Sequence, residues 1–364
     1  MELTFTAVDE RMLGPAWQQA FAEAWPGWRA WYLRKGGERR LSGAEQQLRR
    51  HMPELIPVWR RQVELSGGDE VAARFLTFWN PPAYLVHCSQ AVLVDRDGPI
   101  LVRNYDLDPR LSEAKVLRSA WTRRPVIATM EAIAGAADGV NAAGLAVSLA
   151  FGGRRIRGEG FGVPLIVRYL LETCERTRDA VAALCRIPCH MAYNLTVVDH
   201  VGEHATVFLS PDRPAEITRR PFATNHQCRV EWDEQARFSR SLERAQLLEQ
   251  LLADRGLIAG RLIDAFLAPP LYSNRHGEGF GTVYTAAYRP ADASVEFHWP
   301  GQEPWRLSCD RFQPASRRVT YVGATQRLPH GFAELLAECL RCPQAADWTG
   351  LGRFWAGSFP QFAG

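Results

Sequence analysis

Cys88 heads the alternating run CSQAVLVDRDGPILVRNYD, and Arg103, Asn104, Tyr105 and Asp106 close it. A cysteine beside an arginine is chemically meaningful because the thiolate is the nucleophile and a nearby cation lowers the thiol pKa. Asp97-Gly98, between the two apolar halves, is a favoured two-residue hairpin turn. A hairpin centred there sets Val92 opposite Arg103 and Gln90 opposite Tyr105, so that Cys88 and Arg103 share a face and Asp106 falls on the other. Asp106 then joins the cluster only where the strand has ended or bulged. On spacing alone, a small buried thiol at a strand start is the ordinary alternative.

The elements that must position these residues change character along the chain. From Ala16 to Val63 the pattern is helical, with Trp and Phe at three- and four-residue spacings that read as packing. Two prolines in FWNPPAY end that region, and strand signals follow. GLAVSLAFGG suits a buried strand, and NLTVVDHVGEHATVFL reads as two strands joined by a Gly-containing turn. Helical patterns in VPLIVRYLLETC and TRDAVAALCRI lie between them, and another runs through SRSLERAQLLEQLLADRG. TVYTAAYRPADASVEFHWPGQEPWRLS reads as three short strands. Strand runs and helix runs are segregated, which predicts an α+β fold of helices on antiparallel sheets.

Composition excludes several classes. The 364 residues are 46% hydrophobic and 23% charged, as in an ordinary packed protein. A net charge of +3 from 43 basic and 40 acidic residues gives no strong field for nucleic acid or an anionic membrane. The basic clusters RRLSGAEQQLRRH and GGRRIRGEG read as solvated faces. No signal peptide pattern opens the chain and no apolar run reaches membrane-spanning length, so a soluble cytoplasmic protein is expected. Eight cysteines are too sparse for a disulfide framework. Cys185, Cys189 and His190, like Cys339 and Cys342, lack a matched second half for zinc, and the cysteines read as buried structural thiols. No glycine pattern supports a nucleotide site, and no metal or other cofactor is expected.

Taken in order, CSQAVLVDRDGPILVRNYD, DGVNAAGLAVSLAFGG, MAYNLTVVDHVGEHATVF, ATNH and SLERAQLL closely resemble the cysteine-type N-terminal nucleophile (Ntn) hydrolases. The narrower likeness is to penicillin acyltransferases and related autoproteolytic acyltransferase/hydrolases, with choloylglycine hydrolases as distant relatives. The resemblance implies an αββα sandwich whose backbone is cut between His87 and Cys88. Residues 1–87 would be a helical segment released as a small subunit, and 88–364 the catalytic core. A free α-amine, with a pKa of about 7.7 to 8.0, can then serve as general base for its own thiol. The acyl group of a small-molecule amide or related donor would pass through a thioester to water or an amine. By the same resemblance Asp106 holds the amine, Arg103 tunes the thiol or contacts substrate, and Asn225 binds the oxyanion. Asn194 is a second candidate for substrate or oxyanion contact. A further arginine is expected on the helix of SRSLER, where Arg240 and Arg244 both qualify and the spacing from Ser241 favours Arg244. Homo-oligomers are compatible with the resemblance.

The chain departs from the family at GVNAAGL, where Ala142 stands in place of a usual Glu while Asn141 and Gly144 remain. Changed loop support, not lost catalysis, is the expected result. The Cys88-to-Arg103 interval is one residue shorter than in the bile-salt enzymes, which favours the acyltransferase-like branch. Two other readings stay open. One is an unprocessed Cys-His hydrolase using His226, His276 or His298. The other is an uncleaved, catalytically silent member that binds a ligand or supports assembly.

Overall fold

The computed structural model describes residues 1–34, 41–84, 86–276 and 280–321. Strand β1 (Glu2–Asp9) comes first, then helices α1 (Pro15–Arg34), α2 (Leu41–His51), α3 (Ile56–Leu65) and α4 (Glu70–Phe75). The hairpin β2 (His87–Asp95) and β3 (Gly98–Leu107) follows, then β4 (Lys115–Ser119), β5 (Val126–Glu131), β6 (Gly135–Asn141) and β7 (Leu145–Phe151). Helices α5 (Val163–Thr173) and α6 (Thr177–Arg186) precede β8 (Tyr193–Asp199), β9 (His204–Leu209), β10 (Glu216–Thr218) and β11 (Phe222–Ala223). Next come α7 (Asp233–Phe238), α8 (Ser241–Ala253) and α9 (Ala259–Phe266). The last strands are β12 (Asn274–Arg275), β13 (Phe280–Arg289), β14 (Ser294–His298), β15 (Trp305–Ser308) and β16 (Ala315–Thr320).

Nine strands form one sheet in the order β10-β9-β8-β7-β6-β5-β4-β1-β16, and seven form the other, β11-β2-β3-β13-β14-β15 with β12 beside β13. Every pairing is antiparallel except β1 with β4. Strands β2 and β3 face β7 and β8 across the space between the sheets. Helices α5 and α6 cover the outside of the larger sheet, and α8 and α9 cover the smaller. The fold is therefore α+β in four layers, helix, sheet, sheet, helix.

Alternation along the hairpin shows how the layers are filled. Val92 and Leu101 belong to the core between the sheets, whereas Ala91, Ile100 and Val102 pack with Leu248, Leu262 and Phe266 under α8 and α9. A strand buried on both faces must be apolar nearly throughout, as the PILV stretch of β3 is.

The structure corrects several expectations. The hairpin pairs Asp95 with Gly98, so Gln90 lies opposite Arg103 and Val92 opposite Leu101. The Asp95 carboxylate accepts from the Asp97 amide at 2.9 Å, closing the turn one residue early, and Gly98 starts β3 at a φ of 101°. The register moves by two residues, so the shared face of Cys88 and Arg103 survives. The expected N-terminal helices are present as α1–α4, and an unexpected strand, β1, precedes them and pairs with both β4 and β16. Cys185 is exposed on α6, not buried, while Cys189 is buried. Cys339 and Cys342 lie outside the described residues. In GGRRIRGEG, Arg154 is mostly buried and ion-pairs with Asp212 and Glu231, so it clamps loops together instead of facing solvent. No described helix is long and apolar enough to cross a membrane.

Candidate active site

Cys88 and Arg103 point from β2 and β3 into the space between the sheets, and both are fully buried. Arg103 Nη2 donates to Cys88 Sγ at 2.9 Å and to the Leu149 carbonyl at 3.2 Å. The guanidinium also lies 4.6 Å from the centre of the Tyr105 ring, a cation-π contact that fixes its plane. Its Nη1 ion-pairs with Asp138 of β6, itself fully buried. Burial pushes the Cys88 thiol up to about 11; Arg103 opposes that shift, Asp106 adds to it and Arg244 opposes it. The thiol of the uncut chain is thus protonated at neutral pH.

The other face of the hairpin carries His87, Ser89 and Asp106. Asp106 stays within β3, opposite His87, and accepts from Thr282 Oγ1 at 2.7 Å beside a bulge in β13 between Thr282 and Tyr284. The bulge therefore lies in the neighbouring strand, and Asp106 sits on the face of the hairpin away from the Cys88 side chain. Arg244 of α8 connects the two. Its Nη1 donates to the Cys88 carbonyl at 2.8 Å and to Ser89 Oγ at 2.7 Å, its Nη2 donates to Asn225 Oδ1 at 2.6 Å, and Asp106 Oδ2 is 3.7 Å away. Asn225 Oδ1 in turn accepts from the Cys88 amide at 3.2 Å. Burial raises Asp106 to about 6, against the pull of Arg244, Thr282 and Arg103. His87 is caged by Phe280 and Phe238, ring centres 4.6 and 5.7 Å away, and burial with Arg244 and Arg275 lowers it to about 3.

The remaining candidates separate clearly. Asn194 Nδ2 donates to the carbonyls of Thr224 and His226, both at 2.9 Å, and so clamps the backbone on either side of Asn225. The Asn225 Nδ2 donates to the Phe151 carbonyl at 3.2 Å in the uncut chain. Arg240 caps α8 in a left-handed conformation with φ 53° and pairs with Glu243, while Arg244, one turn on, reaches Cys88. Among the described residues, the only hydrogen bond to Cys88 Sγ comes from Arg103. His226 is bonded to Ser241 and Thr224, His276 to the Thr282 carbonyl, and His298 lies 3.6 Å from Glu296.

Two features escape sequence reasoning. Asp138, the first residue of DGVNAAGLAVSLAFGG, anchors Arg103 from another sheet, a role that its place in that motif does not announce. Gly153, at φ 68°, lets the loop after β7 press on the Asn225 carbonyl, which would lie 2.2 Å from an added Cβ. On the helix side an open pocket of ≈ 390 Å³ is lined by Asp106, Arg244, Arg240, Tyr272, Arg275 and Phe280, among others, and so adjoins the His87 cage. Among the described residues, no group of three His, Cys, Asp or Glu side chains is placed to hold a metal ion.

The sequence model of the family described as acyl-coenzyme A:6-aminopenicillanic acid acyl-transferase matches residues 94–304, more than half of the chain. That span includes Arg103, Asp106, Asn194, Asn225 and Arg244 but starts after Cys88. Among curated proteins none matches. Among solved structures, a mutant conjugated bile acid hydrolase from Clostridium perfringens is similar at 11% identity and a TM-score of 0.44, covering 64% of this chain and 97% of that one. Penicillin V acylase from Agrobacterium tumefaciens is similar at 12% and 0.40, covering 66% and 93%. The Caenorhabditis elegans ortholog of N-acylethanolamine-hydrolyzing acid amidase is similar at 16% and 0.42, covering 64% and 100%.

Proposed function

The chain belongs to the acyl-coenzyme A:6-aminopenicillanic acid acyl-transferase family, and from that premise we propose that it cuts its own backbone between His87 and Cys88 and then works as a cysteine Ntn enzyme. An acyl group would leave an amide or related small-molecule donor, form a thioester on Cys88, and pass to water or an amine. The observation that carries this reading is the grip on Cys88 from both sides. Arg103 holds its sulfur, while Asn225 and Arg244 hold its amide and carbonyl.

In the cut, Cys88 Sγ attacks the His87 carbonyl carbon, the peptide C–N bond breaks as its nitrogen takes the thiol proton, and water then splits the resulting thioester. The new α-amine, no longer an amide, has a pKa of about 7.7 to 8.0 and can take the thiol proton in each later turnover. It delivers that proton to the leaving nitrogen. Asn225, which contacts the Cys88 amide in the uncut chain, is placed to orient this amine or to turn its Nδ2 toward the oxyanion. Losing one such donor costs about 3 to 4 kcal/mol. In this reading the enzyme is cytoplasmic and has neither nucleic acid nor a membrane as partner.

The test is intact mass under denaturing conditions for wild type beside Cys88→Ala. Two wild-type fragments, the larger beginning at Cys88, with an uncut and inactive variant, are the expected result. Amidase activity retained in Cys88→Ala would sink the proposal. A stable full-length wild type would shift the search to an unprocessed site.

A further inference from the structure

Arg103 has a second partner that the proposed chemistry leaves unused. The Asp138 carboxylate that receives its Nη1 also accepts from Tyr284 OH at 2.8 Å, from Tyr288 OH at 2.5 Å and from Thr129 Oγ1. These donors come from β3, β13 and β5, so three strands of two sheets converge on one carboxylate. Four donors fill the roughly four lone-pair sites of a carboxylate and leave it no freedom to turn. A charge with no exposed surface persists only when paired and hydrogen-bonded in this way.

We propose that Asp138 is a positioning residue, the counter-anion that fixes the Arg103 guanidinium against Cys88 Sγ and keeps that thiol protonated until an amine takes its proton. The functional meaning rests on Cys88 being the nucleophile; the geometry does not. With the thiol neutral, Arg103 and Asp138 cancel. Ionising the sulfur leaves one uncompensated negative charge in a dry space, so the thiolate forms only as its proton is accepted. Without the Asp138 charge, thiolate and guanidinium would cancel instead, and the thiol would ionise more readily. The other titratable or charged groups that bear on the sulfur are Arg244 and Asp106, across the hairpin on the helix side, and Tyr193 of β8. Glu131 and Tyr105 face the guanidinium, and Glu131 also faces Asp138. All of them stay in place when Asp138 alone is changed.

The experiment follows the Cβ resonance of ¹³C-labelled cysteine with pH in the full chain, intact or cut as isolated, with Cys88 assigned by loss of its signal in Cys88→Ser. Asp138→Asn should lower the Cys88 midpoint by at least about one pH unit, a tenfold gain in thiolate at a given pH. Tyr288→Phe removes a donor from Asp138, leaves more of its negative charge bearing on Arg103, and should raise the midpoint. A folded Asp138→Asn with an unmoved midpoint overturns the proposal, and so does an unmoved Tyr288→Phe if Asp138→Asn does not fold. A merely structural role would lower the melting temperature and leave both midpoints where they were. Because the readout needs no turnover, an uncut, inactive chain with shifted midpoints would sink the functional reading alone.

Discussion

The two faces of the β2–β3 hairpin solve opposite problems with the same kind of residue. Toward the other sheet, Arg103 is sealed in a dry hub where its charge is cancelled by Asp138 and its geometry is set by aromatic rings. Toward the helices, Arg244 is just as deeply buried but beside a pocket, and it grips backbone atoms and an amide in addition to its carboxylate. The inner arginine bears on whether the sulfur ionises; the outer one bears on where the reacting backbone sits. One strand thereby presents a nucleophile to one side and its peptide bond to the other.

The comparison breaks first at the inner face. Arg103→Met should cost about 3 to 5 kcal/mol, because Asp138 is left as an uncompensated buried charge, and urea unfolding measures it. If the loss is below about 1 kcal/mol, the hub is not the sealed charge pair described. Arg244→Gln should leave stability closer to wild type while slowing the cut roughly 100-fold, since the side chain that holds the Cys88 carbonyl and Asn225 in place is lost and a misplaced reacting backbone costs a factor of that order. Fragment mass against time gives that rate, and an unchanged rate would show that the outer face only packs. Gly153→Ala sharpens the outer side without touching a charge. Its Cβ must displace the Asn225 carbonyl at a strained φ, so a loss of about 1 to 3 kcal/mol and a slower cut are expected together.

The effect that is smallest at neutral pH, and grows only on acidification, is on acid stability. His87 and His190 both have folded pKa values lowered to about 3 by burial, from an ordinary 6.5. The folded chain holds them neutral, so their contribution is complete above pH 6.5 and is lost as pH falls from there toward 3. Each can remove at most about 1.4 kcal/mol per pH unit. His87→Gln should flatten the decline of melting temperature below pH 6.5. An unchanged slope would assign the acid sensitivity to other groups.

The sequence made the inner face partly legible, for a simple reason. Period-two alternation preserves which residues share a side even when the pairing slips, so Cys88 and Arg103 came together although the Asp95 side chain closed the turn early. Asp138 stands at the head of DGVNAAGLAVSLAFGG, but its pairing with Arg103 was invisible because the two lie 35 residues apart and meet only across two sheets. The spacing from Ser241 favours Arg244 over Arg240, and the left-handed cap that starts α8, with Arg240 paired to Glu243, gives the physical reason. Strand β1 could have been read, since Phe5 and Ala7 alternate with more exposed neighbours in LTFTAV. The helical pattern after it drew the whole region into one class.

That first strand bears on what a break before Cys88 would do to the molecule. Residues Glu2–Ala7 are laced to Ala315–Thr320, and Thr6–Asp9 to Lys115–Arg118, while Asn80 exchanges hydrogen bonds with Gly160. A break at His87 severs none of these seams. It would be a nick in a closed weave, opening a loop without freeing a piece, and the two polypeptides would travel together through any native separation until denaturant unpicked the sheet.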